Sequence, residues 1–220
     1  MGNVHKYAEL KSVPGVTKTM KFKQSNLIRN AINDDILLDC ICNVFTFYGI
    51  DAPTAQKYVT EIGACGVFSS RWLSEVLGVS YPEYLRDSGS SGQALAVAHS
   101  VMRNVFVKEK VSDVYSSLFR LHKLKQTGPR IEYGPTTLPL IMNRAGNYFV
   151  ACLGHIEAHA IAFTNDFGGM FFDPNVGEYA FDISASRQAK SQFINKWLEI
   201  CRDDFVHYTL FWAYPVGRAD

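Results

Sequence analysis

The stretch GHIEAHAIAFTNDFGGMFFDPNVGEY, residues 154–179, decides the fold. Runs of apolar residues on either side of the turn residues 165–169 predict two β-strands joined as a hairpin. The first strand carries His159, and the second ends at Asp173, which Pro174 follows. A hairpin of this shape can present the imidazole and the carboxylate side by side. Together these groups are half of a nucleophilic triad, so a nucleophile is expected elsewhere in the chain.

The pattern of apolar residues changes near residue 127. Before this point they recur with helical spacing, and after it they follow the spacing of strands. The strand candidates are residues 137–142, 148–153, 158–164, 170–173, 178–182 and 208–214. One helix interrupts them and begins at Ser184 or Ser186. Its apolar face consists of Phe193, Ile194, Trp197, Leu198 and Cys201. Helices first and a mostly antiparallel sheet second predict an α+β fold.

Cys65 is the candidate nucleophile, because it lies at or just before the start of a helix. That helix is predicted from Phe68, Trp72 and Val76, which recur every four residues and make one apolar face. The helix dipole and the free backbone N–H groups at such a position favour a thiolate over a thiol. A lone cysteine is more often a small core residue, and the hairpin downstream is what favours catalysis. The polar residues of this helix are expected at its surface: Ser69, Ser70 and Glu75.

Length and composition favour one globular domain and exclude several classes of protein. The 220 residues can bury a sizeable core, and the net charge of +1 gives no overall field that attracts nucleic acid or an anionic membrane. The cysteines have irregular spacing and no CxxC pair, so neither a disulfide framework nor a zinc site is expected. They are Cys40, Cys42, Cys65, Cys152 and Cys201. We expect reduced thiols and no metal or other cofactor.

Residues 1–24 are polar and rich in lysine, which predicts a flexible N-terminal arm. Residues 25–220 are then expected to form a single domain. The N-terminus lacks the apolar run of a cleavable secretory signal, and no later stretch is long and apolar enough to span a bilayer. The sequence therefore predicts neither a cleavable signal nor an integral membrane segment.

Three motifs of this sequence resemble those of the YopT/AvrPphB family of bacterial effector cysteine proteases. The first is Gly-Ala-Cys at residues 63–65, with Ser69 and Trp72 after it. The other two are HAIA at residues 159–162 and FFDPNVGEY at residues 171–179. The resemblance runs from about residue 52 to the C-terminus. It implies a papain-like catalytic domain over residues 25–220, with the cysteine on a helix N-terminus that packs on a sheet carrying the histidine and the aspartate.

The resemblance also implies the reaction and the role of each residue. Cys65 is the nucleophile, His159 is the general base and then the general acid, and Asp173 fixes the imidazole tautomer. The expected activity is that of a cysteine endopeptidase that cleaves a host protein. Members of the family act after injection into a eukaryotic host cell, so we expect secretion without a cleavable signal and action in the host cytoplasm. A secretion chaperone is a further candidate partner, and nucleic acid is not expected.

The oxyanion site is the part of the papain-like pattern that this sequence lacks. Papain-like enzymes usually place an amide side chain a few residues before the cysteine, but residues 58–61 contain none. Gln56, nine residues before Cys65, is the only local amide. A Thr60 group together with the Cys65 backbone N–H is the alternative set of donors.

A second histidine and two other functions remain open as alternatives. His155 lies four residues before His159, and an even separation on a strand puts both on one face, so His155 is a second candidate base. Cys152 lies in an apolar strand and is expected in the core. The same triad could serve a deamidase or a transglutaminase, because the thioester intermediate does not decide which nucleophile attacks next. A non-catalytic binding module with the same fold is the third functional class.

Overall fold

A computed structural model describes residues 7–24, 65–80, 115–116, 118–120, 122–154, 158–166, 168–203 and 207–219. The chain divides into two compact units. The first comprises Met1–Phe22 and Gln126–Gly217, and the second comprises Lys23–Lys125 and Arg218–Asp220. The sequence instead predicts one domain over residues 25–220. One difference between this prediction and the observed division is that a strand from the N-terminal part of the chain belongs to the sheet of the first unit.

A large sheet dominates the described part of the chain. Its strands are β1 (Val16–Lys21), β2 (Leu124–Gln126), β3 (Ile131–Tyr133), β4 (Asn147–Gly154), β5 (Ala158–Thr164), β6 (Met170–Asp173), β7 (Gly177–Phe181) and β8 (Tyr208–Arg218). The strand order is β1-β7-β6-β5-β4-β8-β2, and β3 pairs with β8. Successive neighbours from β1 to β8 in that order are antiparallel, as are β3 and β8. The prediction of helices with a mostly antiparallel sheet is confirmed.

The β5–β6 hairpin forms between the strand bounds that the sequence predicts, and a tight turn follows it. In the β6–β7 turn, Asp173 pairs with Gly177, and the Val176 N–H donates to the Asp173 carbonyl oxygen over 2.9 Å. Gly177 has a φ angle of 124°, and a Cβ there would overlap the carbonyl oxygen of Met20. The turn therefore fixes the backbone at the residue that carries the carboxylate.

Residues 1–24 are predicted to be a flexible arm, but in their described part a 3₁₀ helix forms at Glu9–Ser12 and the edge strand β1 follows it. In the pairing of β1 with β7, Val16 lies opposite Phe181. Alternate side chains of β1 are more buried, which is the pattern of a half-buried strand. Lys18 lies on the buried side and satisfies its ammonium group by donating to the Val176 carbonyl oxygen over 2.6 Å. A lysine-rich stretch can thus form a strand when the aliphatic stem lies along the sheet.

Helix α2 covers one face of this sheet. It spans Arg187–Asp203, and the Ser186 hydroxyl caps it by accepting the Ala189 N–H over 3.1 Å, as the sequence predicts. The ring of Phe193 on α2 contacts the sheet residues Phe171, Tyr179 and Phe181 at centroid distances of 5.1, 5.2 and 5.2 Å. Neither α2 nor any other helix in the described ranges is long and apolar enough to cross a membrane.

The strand predicted at residues 137–142 is wrong, because these residues form a 3₁₀ helix at Leu138–Asn143. Pro139 lies in its first turn, and proline has no N–H to donate to a neighbouring strand. Leu138, Ile141 and Met142 nevertheless pack into the same core as α2. The apolar run correctly indicates burial here but not the backbone conformation.

Helix α1 (Cys65–Val76) belongs to the second unit and carries the predicted nucleophile. Phe68 and Trp72 are buried, as their spacing predicts. Ser69 and Ser70, which the sequence pattern predicts at the surface, are instead fully buried. Buried hydroxyl groups need hydrogen-bond partners, and a polar cluster inside the second unit supplies them for Ser70.

The buried polar cluster joins α1 to His122. Ser70 Oγ donates to the Gly66 carbonyl oxygen over 2.8 Å and lies 2.7 Å from His122 Nδ1. Ser74 Oγ donates to the carbonyl oxygen of His122 over 2.5 Å. Burial, together with the positive charge of Arg71, lowers the pKa of His122 to about 3. His122 is therefore a neutral, hydrogen-bonded core residue at pH 7.

The stability of the protein should fall as the pH is lowered from 6.5 towards 3, because of His122. In this range an unfolded chain binds a proton at His122, whose ordinary pKa is 6.5, and the folded chain does not. The free energy of unfolding then decreases by at most about 1.4 kcal/mol per pH unit from this group. Urea unfolding at several pH values measures the slope, and His122→Gln should reduce it. An equal slope in both proteins would contradict this account of His122.

Candidate active site

His159 and Asp173 lie on adjacent strands and are joined by a hydrogen bond. His159 is near the start of β5, and Asp173 is the last residue of β6. His159 Nε2 lies 2.9 Å from Asp173 Oδ1. Both residues are buried, with relative exposures of 7% and 2%. The structure thus brings together the two residues that the hairpin pattern predicts side by side.

Asp173 accepts hydrogen bonds on both carboxylate oxygens. Besides His159, the backbone N–H of Asn175 donates to Oδ1 over 2.8 Å, and the indole N–H of Trp197 donates to Oδ2 over 2.8 Å. Burial alone would raise the pKa of Asp173, but the charge of His159 and these hydrogen bonds outweigh burial and hold the pKa below its ordinary value of 3.8. The stability that these interactions give the folded protein is fully present above pH 3.8, the ordinary pKa of the group. It is lost as the pH falls through the lower pKa that Asp173 has in the folded protein.

The hydrogen bond to Asp173 determines which nitrogen of His159 is basic. The ionised carboxylate only accepts, so Nε2 carries the proton, and Nδ1 of the neutral ring holds the lone pair. Nδ1 is therefore the nitrogen that can take a proton from a nucleophile. The resulting imidazolium would lie beside an ionised carboxylate, which stabilises its positive charge.

Two aromatic side chains also lie beside the pair. The Tyr208 ring is stacked with His159 at a centroid distance of 6.2 Å and with Trp197 at 6.1 Å. Trp197 is fully buried, and Tyr208 is half-buried. The sequence predicts Trp197 only as a core residue and assigns no role to Tyr208. A general rule could have suggested a polar partner for Trp197, because a buried indole N–H usually needs an acceptor.

Cys65 is the first residue of α1, and its side chain is partly exposed. It forms no disulfide, and neither do Cys152 and Cys201, the other cysteines in the described ranges. Cys152 lies opposite His159 in the β4–β5 pairing but is fully buried, as predicted. Of these three cysteines, Cys65 alone is not buried.

Three residues with predicted roles lie outside the described residues: Gln56, Thr60 and His155. The oxyanion donors and the alternative base therefore stay predictions. Cys65 belongs to the second unit, whereas the histidine–aspartate pair belongs to the first. Within the described ranges, no group of three or more His, Cys, Asp or Glu residues could hold a metal ion.

Comparison with solved structures finds a similar fold. The crystal structure of the Pseudomonas avirulence protein AvrPphB matches with a TM-score of 0.56 and 17% sequence identity, over 70% of this chain and 91% of that chain. The two proteins share a fold. Neither a family model nor a curated protein matches the sequence. The likeness to AvrPphB agrees with the mixed helix and antiparallel-sheet architecture.

Proposed function

We propose that this protein is a cysteine endopeptidase with a papain-like catalytic domain, in which Cys65, His159 and Asp173 form the triad. The observation that carries the proposal is the buried hydrogen bond of 2.9 Å between His159 Nε2 and Asp173 Oδ1. This bond orients the imidazole and leaves Nδ1 as its basic atom. Cys65, partly exposed at the start of α1, supplies the nucleophile. Catalysis requires Cys65 Sγ and His159 Nδ1 to approach each other.

Acylation begins when the Cys65 thiol transfers its proton to His159 Nδ1, which gives a thiolate and an imidazolium. The helix N-terminus stabilises the thiolate, and the Asp173 carboxylate stabilises the imidazolium. The thiolate attacks the carbonyl carbon of the scissile peptide bond, and the carbonyl oxygen becomes an oxyanion. The Nδ1–H then donates its proton to the leaving nitrogen, the C–N bond breaks, and a thioester remains on the cysteine.

Deacylation uses the same groups with water as the nucleophile. His159 Nδ1 takes a proton from water while the hydroxyl oxygen adds to the thioester carbonyl carbon. The C–S bond then breaks, which releases the carboxylic acid product and restores the thiolate–imidazolium pair. The backbone N–H of Cys65, together with Gln56 or Thr60, is the proposed donor set for the oxyanion in both steps.

The proposed substrate is a host protein. Support comes from the motifs that resemble YopT/AvrPphB effector proteases and from the fold likeness to the Pseudomonas avirulence protein. On this basis the protein is a translocated bacterial effector or toxin that acts in the host cytoplasm. A secretion chaperone is its further candidate partner.

Selective alkylation of Cys65 tests the proposed nucleophile. Near pH 6 an ordinary thiol, with a pKa of about 8.5, is almost wholly protonated and reacts slowly with iodoacetamide. We expect Cys65 to react faster than a free cysteine and to lose this reactivity in His159→Ala, as measured by mass spectrometry of its peptide. Cys152 and Cys201 are buried and serve as internal controls. Slow alkylation of Cys65 in both proteins would contradict the proposal and favour a non-catalytic module.

A further inference from the structure

We propose that Trp197 and Tyr208 are positioning residues, which hold Asp173 and His159 in their working arrangement. These roles rest on the proposed function, because they concern the same histidine–aspartate pair. A closed ring of contacts carries the inference. Two hydrogen bonds link His159 to Asp173 and Asp173 to Trp197. Two ring stacks link Trp197 to Tyr208 and Tyr208 back to His159.

The hydrogen bond from Trp197 fixes the rotation of the Asp173 carboxylate. Oδ1 accepts the hydrogen bond from His159 Nε2 over 2.9 Å, and Oδ2 accepts the one from the indole N–H over 2.8 Å. A carboxylate with donors on both oxygens cannot turn about its Cβ–Cγ bond without breaking one of these bonds. Because Asp173 is only 2% exposed, Oδ2 stays unpaired when it loses the indole donor, and an unpaired buried oxygen is unfavourable. The indole N–H therefore keeps Oδ1 aimed at the imidazole.

Trp197 can act in this way because its own position is fixed. It lies within α2, is fully buried, and contacts the Phe171 ring at a centroid distance of 5.7 Å. A donor held by a packed helix positions its partner more accurately than one on a loop. Helix α2 thus contributes a polar group to the site as well as an apolar face to the core.

Tyr208 limits the tilt of the imidazole ring. It is the first residue of β8, and its ring lies nearly parallel to that of His159, at an interplanar angle of 16°, and to that of Trp197, at 10°. Centroid distances near 6 Å with such angles describe offset stacking, a favoured arrangement of aromatic rings. A rotation of His159 that broke its bond to Asp173 would also tilt it out of this stack. The π face of Tyr208 also favours a positively charged partner ring.

Four variants separate positioning from general packing. Trp197→Phe keeps an aromatic ring and removes the indole donor. Its matched control is Phe193→Leu, on the same face of α2 and against the same Phe171 ring, which removes no polar group. Tyr208→Leu removes the stacking ring, and Tyr208→Phe keeps that ring as its control. Circular dichroism verifies that each variant folds; should Trp197→Phe not fold, the Tyr208 pair decides the result.

The readout is the exchange with water of the His159 Nε2 proton, followed by NMR on protein with nitrogen-15 histidine. The loss of one signal in His159→Gln identifies this proton. We expect exchange to be about tenfold faster or more in Trp197→Phe and Tyr208→Leu and unchanged in the two controls, because only the first two release the pair. Unchanged exchange in Trp197→Phe and Tyr208→Leu, or equal acceleration in the controls, would overturn the inference.

A failure of this inference can be distinguished from a failure of the proposed function. The exchange measurement depends on the bond between His159 and Asp173 and does not involve Cys65. If Cys65 of the wild type proves unreactive, the proposed function fails while the exchange rates still decide whether Trp197 positions the pair. If Cys65 is reactive, its alkylation near pH 6 should slow in Trp197→Phe by up to about 100-fold, the scale of a misplaced catalytic group. Full alkylation in that variant would count against the inference.

Discussion

Cys65→Ala should lower the rate of proteolysis by about 10⁶-fold, which is complete loss in a practical assay. Alanine offers no nucleophile, so the thioester cannot form and the triad has no covalent route. The fold should be retained, because the Cys65 side chain is partly exposed and forms no disulfide. The measurement is the rate of cleavage of a substrate protein, with circular dichroism to verify folding.

The matched control for this substitution is Cys152→Ala. Cys152 lies opposite His159 across the β4–β5 pairing, so it tests whether a cysteine on the neighbouring strand is required. It is fully buried, and its removal should leave the activity close to that of the wild type. An active Cys65→Ala protein beside an inactive, folded Cys152→Ala protein would show that the nucleophile is assigned to the wrong residue.

Asp173→Ala should produce the second largest effect, a loss of about 10³- to 10⁴-fold in the rate. The substitution removes the acceptor of the His159 Nε2 proton, so the imidazole loses its tautomer and its orientation. It also leaves the indole N–H of Trp197 unpaired in the core, which should lower the free energy of unfolding by about 1–3 kcal/mol. Cleavage rates and urea unfolding measure the two effects separately.

Asp173→Asn should lie between the wild type and the alanine variant. Its amide oxygen can accept from His159, but its amide NH₂ group would then face the indole N–H of Trp197, and two donors do not bond. Asp166→Asn, at an exposed position in the same unit, makes the same chemical change and should leave the rate unchanged. If the Asp173→Ala protein cleaved its substrate as fast as the wild type, Asp173 would have no role in the mechanism.

The histidine–aspartate pair could be predicted because its determinants are local. A hairpin requires only a strand pattern on each side of a turn, and Asp173 lies fourteen positions after His159. The bounds of β5 and β6 therefore follow from neighbouring residues. The start of α2 at Ser186 is predictable for the same reason, since a cap acts within one turn.

Three features that escaped prediction depend on residues far apart in the chain. Strand β1 exists because it pairs with β7, and its Thr19 contacts a residue 159 positions away. The burial of Ser70 depends on His122, 52 residues along the chain, and the polar role of Trp197 depends on Asp173, 24 residues away. The spacing of apolar residues in a single sequence relates residues within one helix or strand, so it does not link such distant pairs. Packing brings these pairs together only after the elements form.

The most direct test of the central claim is the appearance of new protein N-termini in a eukaryotic host-cell lysate. The purified wild-type protein and Cys65→Ala are each incubated with the lysate, and peptides with newly formed N-termini are identified by mass spectrometry. We predict new internal termini in one or a few host proteins with the wild type and none with Cys65→Ala. The absence of new termini with the wild type, together with a one-dalton shift or an amine conjugate on a host protein, would contradict proteolysis and favour a deamidase or a transglutaminase.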